Sequence, residues 1–167
     1  RAKARARLHA VHYVAPSVWA WRPKRAVRMA RIVDHVLALL PFEPPYMEVA
    51  GVACDFVGHP VVAEPVATEA EVAAFRAGLG EGPVILALPG SRRGEVGRLA
   101  GVFGEALARV VAARPGARVV VPAAGPVAGM VREAVAGWPE APVVIEPAQD
   151  PGGATKRAAF RASGVAL

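Results

Sequence analysis

The amino-acid sequence predicts an α/β fold with parallel sheets. Short runs rich in β-branched residues alternate with helix-forming stretches along most of the 167 residues. This alternation is typical of a parallel sheet, because the chain must cross over before it can add another parallel strand. Hydrophobic residues make up 54% of the chain and charged residues 20%, which excludes a disordered chain and leaves enough apolar material for a packed core.

The first set of predicted elements covers residues 11–57. Pro23 can open a helix at its first turn, and we expect that helix to turn Val27 and Ala30 inward and its cations outward. Pro41 ends the strand that follows, and Gly51 ends the next helix. The predicted elements are a strand over 11–14, a helix over 24–31, a strand over 33–40, a helix over 42–50 and a strand over 52–57.

The second set begins at residue 84 and repeats the same alternation. A long helix over 94–113 is predicted to end at the sequence Arg-Pro-Gly of residues 114–116. Its predicted apolar stripe consists of Val96, Leu99, Val102, Phe103, Ala106 and Val110. The other elements are strands over 84–88, 119–121, 143–145 and from 165 onward, with helices over 126–136 and 156–163.

The alternation is interrupted between the two sets. Pro60 and Pro65 oppose continuous secondary structure, and several acidic residues there favour solvent, although a short helix is predicted over 69–79. We therefore expect a domain over residues 1–62, a linker over 63–82 and a second domain over 83–167.

Positive charge is concentrated at the start of the chain. Nine cations precede the first acidic residue, Asp34, and they account for the net charge of +6. Such a segment suits nucleic acid, an anionic lipid surface or a phosphorylated substrate, and it also suits a solvated helix face. These cations are Arg1, Lys3, Arg5, Arg7, Arg22, Lys24, Arg25, Arg28 and Arg31.

The sequence does not predict a transmembrane helix, a disulfide or a metal site. No run of about 18 apolar residues occurs, so a transmembrane helix is not predicted and any membrane contact is expected to be peripheral. Cys54 is the single cysteine, which excludes an internal disulfide and a cysteine-based zinc site. The histidines show no metal-ligand spacing, so no metal site is expected.

The most informative segment is 88–95, with the sequence LPGSRRGE, which leaves an apolar strand and enters the long helix. Gly90 permits close backbone approach, Ser91 can cap the helix with Glu95 in its first turn, and Arg92 adds a guanidinium. Free N–H groups at such a helix start bind phosphate or pyrophosphate. The alternative is a tight turn with a surface arginine. The segment matches neither the Walker A nor the GxGxxG pattern.

Two further segments are candidates for ligand contact. Ser17, Trp19, Trp21 and Arg22 follow the first strand, where α/β proteins usually bind ligands. Packing in the core and at a domain interface is the competing interpretation for this segment. His59 lies between a strand and the predicted linker. It could bind a ligand or carry a proton, and a hydrogen-bonded structural histidine is the competing interpretation.

Four segments, in this order, resemble the lipid-A-disaccharide synthase family. They are residues 13–22 (YVAPSVWAWR), 36–43 (VLALLPFE), 56–60 (FVGHP) and 86–95 (LALPGSRRGE). The resemblance implies a GT-B fold of two Rossmann-like domains with parallel sheets. Both domains would be incomplete here: the chain would hold the later part of the acceptor-side domain and the first part of the nucleotide-sugar-side domain.

The resemblance also implies an activity. The family enzyme is an inverting glycosyltransferase that transfers 2,3-diacylglucosamine from its UDP conjugate to 2,3-diacylglucosamine 1-phosphate, without a cofactor or metal. It implies that Pro89 to Arg92 face the UDP-sugar, that the catalytic base precedes residue 1, and that this fragment alone is inactive. We expect a cytoplasmic protein, peripheral on the cytoplasmic face of the inner membrane. The candidate substrate-binding residues are Pro89, Gly90, Ser91, Arg92, Glu95, Ser17, Trp19, Trp21, Arg22 and His59.

Two alternatives stay open at this point. Another GT-B enzyme that acts on a UDP-sugar, such as a UDP-N-acetylglucosamine 2-epimerase, would share the anion-binding loop but would not need the paired tryptophans. A nucleic-acid-binding module would explain the leading cations but not the second glycine-containing loop, so no nucleic-acid partner is expected.

Overall fold

The computed structural model describes residues 8–167, which form two compact units. The first unit ends at Glu64 and the second extends from Pro65 to Leu167. Each unit contains its own sheet, and every strand pairing described is parallel. The predicted α/β class with parallel sheets is therefore confirmed in both units.

The first unit is built on a three-stranded sheet in the order β1-β2-β3. A short helix connects each pair of consecutive strands, as a parallel sheet requires. A 3₁₀ helix over Pro60–Ala63 follows the last strand. The elements are β1 (Val11–Tyr13), α1 (Lys24–Met29), β2 (His35–Ala38), α2 (Pro44–Glu48) and β3 (Ala53–Phe56).

The core of the first unit lies between this sheet and its two helices. It includes Val36 and Ala38 of the central strand and Met47 of α2, all fully buried. The prediction that Val27 faces inward was wrong, because Ala26 is only 2% exposed whereas Val27 is 48% exposed. Ala30, the other residue expected inside, is partly buried against the same cluster as Ala26. Residues four apart share one face of a helix, so Ala26 and Ala30 form the inward face and Val27 lies beside it.

The second unit is built on a four-stranded sheet in the order β6-β5-β4-β7. A 3₁₀ helix over Gly125–Val127 precedes one of its helices. The strands are β4 (Val84–Leu86), β5 (Arg118–Pro122), β6 (Val143–Ile145) and β7 (Val165–Ala166). The helices are α3 (Glu69–Ala77), α4 (Arg93–Ala113), α5 (Ala128–Val135) and α6 (Ala154–Ala162).

Both faces of the second sheet are covered by helices. Alternate residues of a strand point to opposite faces, so β4 and β5 contribute to two apolar clusters. The cluster with α4 and α5 contains Ile85, Val119, Val121, Val96, Leu107, Val131 and Val135. The cluster with α3 and α6 contains Val84, Leu86, Val120, Ile145 and Ala159, with Phe75 packed against it.

The long helix α4 buries a different stripe from the predicted one. Leu99, Val102 and Val110 were expected inside but are exposed. The residues of α4 that the core buries are Val96, Ala100 and Leu107, and Phe103 and Val111 are partly buried against them. The reason is Trp138, whose Nε1 donates to the carbonyl of Ala100 at 3.1 Å and whose ring fills the space beside Gly104. Small residues on α4 therefore face the core because an indole occupies that space.

Most of the predicted linker lies within the second unit. The helix predicted over 69–79 is present as α3, and its first turn is closed by Thr68, whose Oγ1 accepts from the Glu71 amide at 3.2 Å. Arg161 of α6 bonds to Glu69 and to the carbonyl of Ala67, which holds α3 against α6. The boundary between the units therefore falls at Glu64, while a flexible hinge over 63–82 stays a prediction.

Candidate functional site

The loop after β4 carries the predicted anion-binding residues. Its start is held between neighbouring strands, because the Ala87 amide donates to the Val120 carbonyl at 2.9 Å. Pro89 is fully buried and anchors the loop. Gly90 adopts φ +124°, and a Cβ at this position would lie 2.4 Å from the Cβ of Glu95. Only glycine fits this turn.

The carboxylate of Glu95 ties the loop to the start of α4. Its Oε2 accepts from the amide of Ser91 at 2.9 Å, from the amide of Arg92 at 3.1 Å and from the Ser91 hydroxyl at 3.3 Å. Its Oε1 accepts from Nη1 of Arg92. These contacts lower the pKa of Glu95 to about 2, chiefly through the Ser91 amide and then through the Arg92 guanidinium.

The loop differs from the prediction in one respect that matters for binding. We expected free N–H groups for a phosphate, strengthened by the guanidinium of Arg92, with Ser91 as the helix cap. In the structure Arg92 takes the cap position, and the amides of Ser91 and Arg92 already donate to Glu95. A phosphate on these donors would have to displace the carboxylate of Glu95, because both anions need the same N–H groups.

The tryptophan segment of the first unit lies at the surface. The carbonyl of Ser17 accepts from the amides of Ala20 and Trp21, both at 3.3 Å, which closes a turn. The exposed ring of Trp19 meets Phe42 edge to face at 5.1 Å. The guanidinium of Arg22 lies 4.3 Å from the ring centre of Trp21, a cation–π contact. These exposed rings do not support packing in the core of the unit, while packing at a domain interface and ligand contact both stay predictions.

The side chain of His59 forms a hydrogen bond with the backbone two residues later in the chain. Its Nδ1 accepts from the Val61 amide at 3.1 Å and so caps the 3₁₀ helix. This agrees with the structural interpretation of His59, and its role in substrate binding stays a prediction. Within residues 8–167 there is no cluster of three or more His, Cys, Asp or Glu side chains that could hold a metal ion.

A cavity of about 500 Å³ lies between the end of β1 and α1 in the first unit. Lys24, Arg25 and Arg28 are exposed, which confirms the prediction that the cations of α1 face outward, but that prediction did not identify the cavity. The signal available in the sequence was the three-residue spacing of Arg25 and Arg28, which places both on one side of a helix. The lining residues are His12, Val14, Ala15, Pro16, Arg25, Arg28, Met29 and Ile32. The leading cations Arg1, Lys3, Arg5 and Arg7 lie outside the described residues.

Glu43 stabilises the turn after β2, a role that the sequence pattern did not predict. Its side chain is buried after β2, and its Oε2 accepts from the amides of Leu39 at 3.2 Å and Leu40 at 2.9 Å. The nearby Cys54 is also buried, which raises the pKa of its thiol, and the negative charge of Glu43 raises it further. Glu43 therefore supports the backbone, and Cys54 is unsuited to act as a nucleophile.

No helix in the part of the chain that the structure describes is both long and apolar enough to cross a membrane.

The sheet edges that carry the two candidate segments differ in their chemistry. In the second unit the loop after β4 pairs its arginine with a carboxylate. In the first unit the segment after β1 presents exposed aromatic rings and a cationic cavity.

Comparison with known proteins identifies the family. The family model for lipid-A-disaccharide synthetase matches residues 2–133. The lipid-A-disaccharide synthase of Ruegeria pomeroyi is 62% identical over 165 residues, covering 96% of this chain and 41% of that protein. The enzyme of Rhodospirillum centenum is 48% identical over 168 residues, covering 99% and 40%. The enzyme of Pseudomonas savastanoi is 51% identical over 125 residues, covering 73% and 33%.

The chain spans about two fifths of the length of the first two of these curated relatives. The matched residues include the tryptophan segment, the turn closed by Glu43 and the loop after β4. Because the family model covers most of the chain and the identity reaches 62%, the chain belongs to the lipid-A-disaccharide synthetase family.

Proposed function

We propose that the intact protein is an inverting glycosyltransferase of lipid A assembly. It transfers 2,3-diacylglucosamine from its UDP conjugate to 2,3-diacylglucosamine 1-phosphate and releases UDP. The observation that supports the proposal is the loop after β4 in a chain of this family, where Gly90 leaves the backbone uncovered and the guanidinium of Arg92 is exposed. The two units are then the acceptor side and the nucleotide-sugar side.

In this reaction a hydroxyl of the acceptor attacks the anomeric carbon of the donor. The proton of that hydroxyl passes to a general base of the intact protein. The bond between the anomeric carbon and the UDP oxygen breaks, and negative charge develops on the departing diphosphate. Arg92 is suited to hold this charge, because its side chain is 80% exposed and a guanidinium binds phosphate oxygens in a bidentate manner. Binding requires that the guanidinium exchange the Glu95 carboxylate for the diphosphate.

The loop geometry supports close contact with the donor. Gly90 has no side chain to keep a phosphate away from the backbone, and the buried Pro89 holds the loop in place. Pro89, Gly90, Ser91, Arg92 and Glu95 therefore form the proposed donor-binding loop. This assignment needs neither a metal nor a cofactor, since the arginine supplies the positive charge.

The first unit is suited to contact a lipid surface. Trp19 and Trp21 expose their rings, and indole side chains favour the boundary between apolar and aqueous surroundings. Arg22 and the cations of α1 lie nearby in sequence and are attracted to anionic leaflets. We assign the protein to the cytoplasmic face of the inner membrane, bound peripherally, with Ser17 and His59 on the acceptor side.

The activity is tested with the intact protein, synthetic UDP-diacylglucosamine and diacylglucosamine 1-phosphate. Mass spectrometry should detect a disaccharide monophosphate and UDP in equal amounts, without added metal. Conversion of the UDP-sugar to an epimer, with no disaccharide formed, would favour the epimerase alternative and contradict the proposal.

Membrane contact is tested by sedimentation with anionic phosphatidylglycerol vesicles and with neutral phosphatidylcholine vesicles. Binding to the anionic vesicles should weaken as salt rises, because salt screens exposed charges. The double substitution Trp19→Ala/Trp21→Ala should weaken binding to both vesicle types. Vesicle binding that does not change with salt concentration and is not weakened by the double substitution would contradict the membrane assignment.

A further inference from the structure

The cavity of the first unit has the position of a ligand site. It lies at the carboxyl end of β1, and ligands of α/β proteins bind outside the carboxyl ends of parallel strands. Its volume of about 500 Å³ falls in the range of small-molecule pockets. Val14, Met29 and Ile32 give it apolar walls, to which the loop after β1 adds Ala15 and Pro16.

Positive charge is concentrated in this cavity. Arg25 and Arg28 lie three residues apart on α1, and His12 joins them from β1. Within residues 8–167, neither arginine forms an ion pair or hydrogen bond with another side chain. Arginines of the second unit do pair with carboxylates, as Arg132 with Glu146 and Arg118 with Glu140.

A bound anion stabilises this arrangement. Arg25 and Arg28 are both exposed, and two guanidinium groups on one side of a short helix repel each other. An anion between them relieves this repulsion, because charge-assisted hydrogen bonds to guanidinium groups are among the strongest that side chains make. A planar guanidinium also matches the geometry of phosphate oxygens.

The backbone at the cavity edge is strained. Val14 adopts φ +78°, which is unfavourable for a β-branched residue. Its amide donates to the carbonyl of Leu37 at 3.0 Å, and the next residue, Ala15, is buried, so the surrounding structure imposes the conformation. Strain of this kind is concentrated at ligand sites.

We propose that this cavity binds the phosphate of an acylated sugar phosphate, which on the proposed function is the 1-phosphate of the acceptor. Arg25, Arg28 and His12 hold the phosphate, and Val14, Met29 and Ile32 contact the attached sugar or acyl chain. A phospholipid headgroup offers the same chemistry. The acceptor fits better, because a phosphate monoester carries more negative charge at neutral pH than a phosphodiester and so matches two guanidinium groups.

The test compares two double variants of the intact protein. Arg25→Gln/Arg28→Gln removes the two cavity charges, whereas Lys24→Gln/Arg31→Gln removes two charges from flanking positions that do not line the cavity. The probes are diacylglucosamine 1-phosphate and its dephosphorylated form, each in neutral detergent micelles. Calorimetry measures their affinities, and their ratio is the preference for phosphate.

In the cavity variant the preference for phosphate should fall by about 10- to 100-fold, because two charge-assisted contacts are lost. In the flanking variant it should change by less than about threefold, the usual effect of exposed charges. Equal losses in both variants would show a diffuse charge effect and overturn the proposal. Arg28→Lys, which keeps the charge but loses the bidentate geometry, should give an intermediate loss and provides a milder variant if the double variant does not fold.

A parallel experiment with vesicles distinguishes the acceptor phosphate from a phospholipid headgroup. Binding to phosphatidylglycerol vesicles that needs Arg25 and Arg28, together with an unchanged preference for the sugar phosphate, would assign the cavity to a headgroup and overturn the acceptor assignment. The binding assay also separates this proposal from the proposed function. An intact protein that lacks transferase activity but keeps an Arg25-dependent phosphate preference would refute only the proposed transfer reaction and support a phosphate site in the cavity.

Discussion

Glu43 in the first unit and Glu95 in the second use the same local contact at the ends of two central strands. Each carboxylate accepts from the backbone amides three and four residues before it, at 2.9 and 3.2 Å for Glu43 and at 3.1 and 2.9 Å for Glu95. Glu43 is 5% exposed, whereas the Glu95 side chain is 28% exposed and pairs with Arg92. The comparison shows that the same backbone contact is shielded from solvent at Glu43 and accessible to solvent at Glu95.

The second difference between the units concerns their arginines. Arg92 has a carboxylate partner within its own loop, so a ligand must compete for it. Arg25 and Arg28 line a cavity and, among the described residues, have no such partner. The two proposed anion sites therefore differ, because the arginine of the loop is already paired with a carboxylate whereas the two arginines of the cavity are not.

The largest expected effect is on the buried carboxylate. Glu43→Ala should lower the free energy of unfolding by about 3 kcal/mol, because the partly buried amides of Leu39 and Leu40 lose their acceptor. Glu43→Gln retains an acceptor oxygen and should cost less than about 1 kcal/mol. Denaturant unfolding of the intact protein measures both values. Equal losses in the two variants would show that charge, and not hydrogen bonding, makes Glu43 important.

The turn at Gly90 gives the next effect. Gly90→Ala should destabilise the protein by about 2 kcal/mol, because its φ of +124° is strained for alanine and the added Cβ meets Glu95. Gly101→Ala is the matched control, since a Cβ there meets nothing within 4 Å and alanine favours a helix by about 0.5–1 kcal/mol. Thermal unfolding should shift in opposite directions. A shift in the same direction would mean that the loop adapts without strain.

Arg92 should affect turnover more than stability. Arg92→Ala is expected to reduce turnover by about 10- to 100-fold, because one charge-assisted contact to the diphosphate is lost. Arg93→Ala, the neighbouring substitution, should change turnover by less than about threefold. Steady-state kinetics with the UDP-sugar donor measures both. Wild-type turnover and donor affinity in Arg92→Ala would remove the loop from the donor site.

The smallest effect concerns the pH dependence of the exposed carboxylate. The folded pKa of Glu95, about 2, lies below its ordinary value of 4.5, so its contribution to stability is fully present above pH 4.5. That contribution is lost as the pH falls from 4.5 toward about 2, where the folded form takes up the proton. The stability difference between wild type and Glu95→Gln should therefore be constant at neutral pH and shrink in acid. A difference that does not vary with pH would contradict the hydrogen bonds of this loop.

Much of the fold follows from local sequence patterns. The strands and most helices lie where β-branched runs, prolines and glycines predict them, because these signals act on neighbouring backbone. The donor loop was recognisable for the same reason, since Gly90 and the residues up to Glu95 are close in sequence. Glu43 has the same spacing from its partners, yet its importance depends on burial, which its local sequence does not display.

By itself, the sequence determined the α/β class and the order of the elements, because each depends on residues a few positions apart. Only the tertiary structure decided that Trp138 selects the buried face of α4, that Arg161 holds α3 in the second unit, and that Arg25 and Arg28 line a cavity with His12. The physical reason is that these arrangements depend on contacts between residues distant in the chain, whose energy local patterns do not contain.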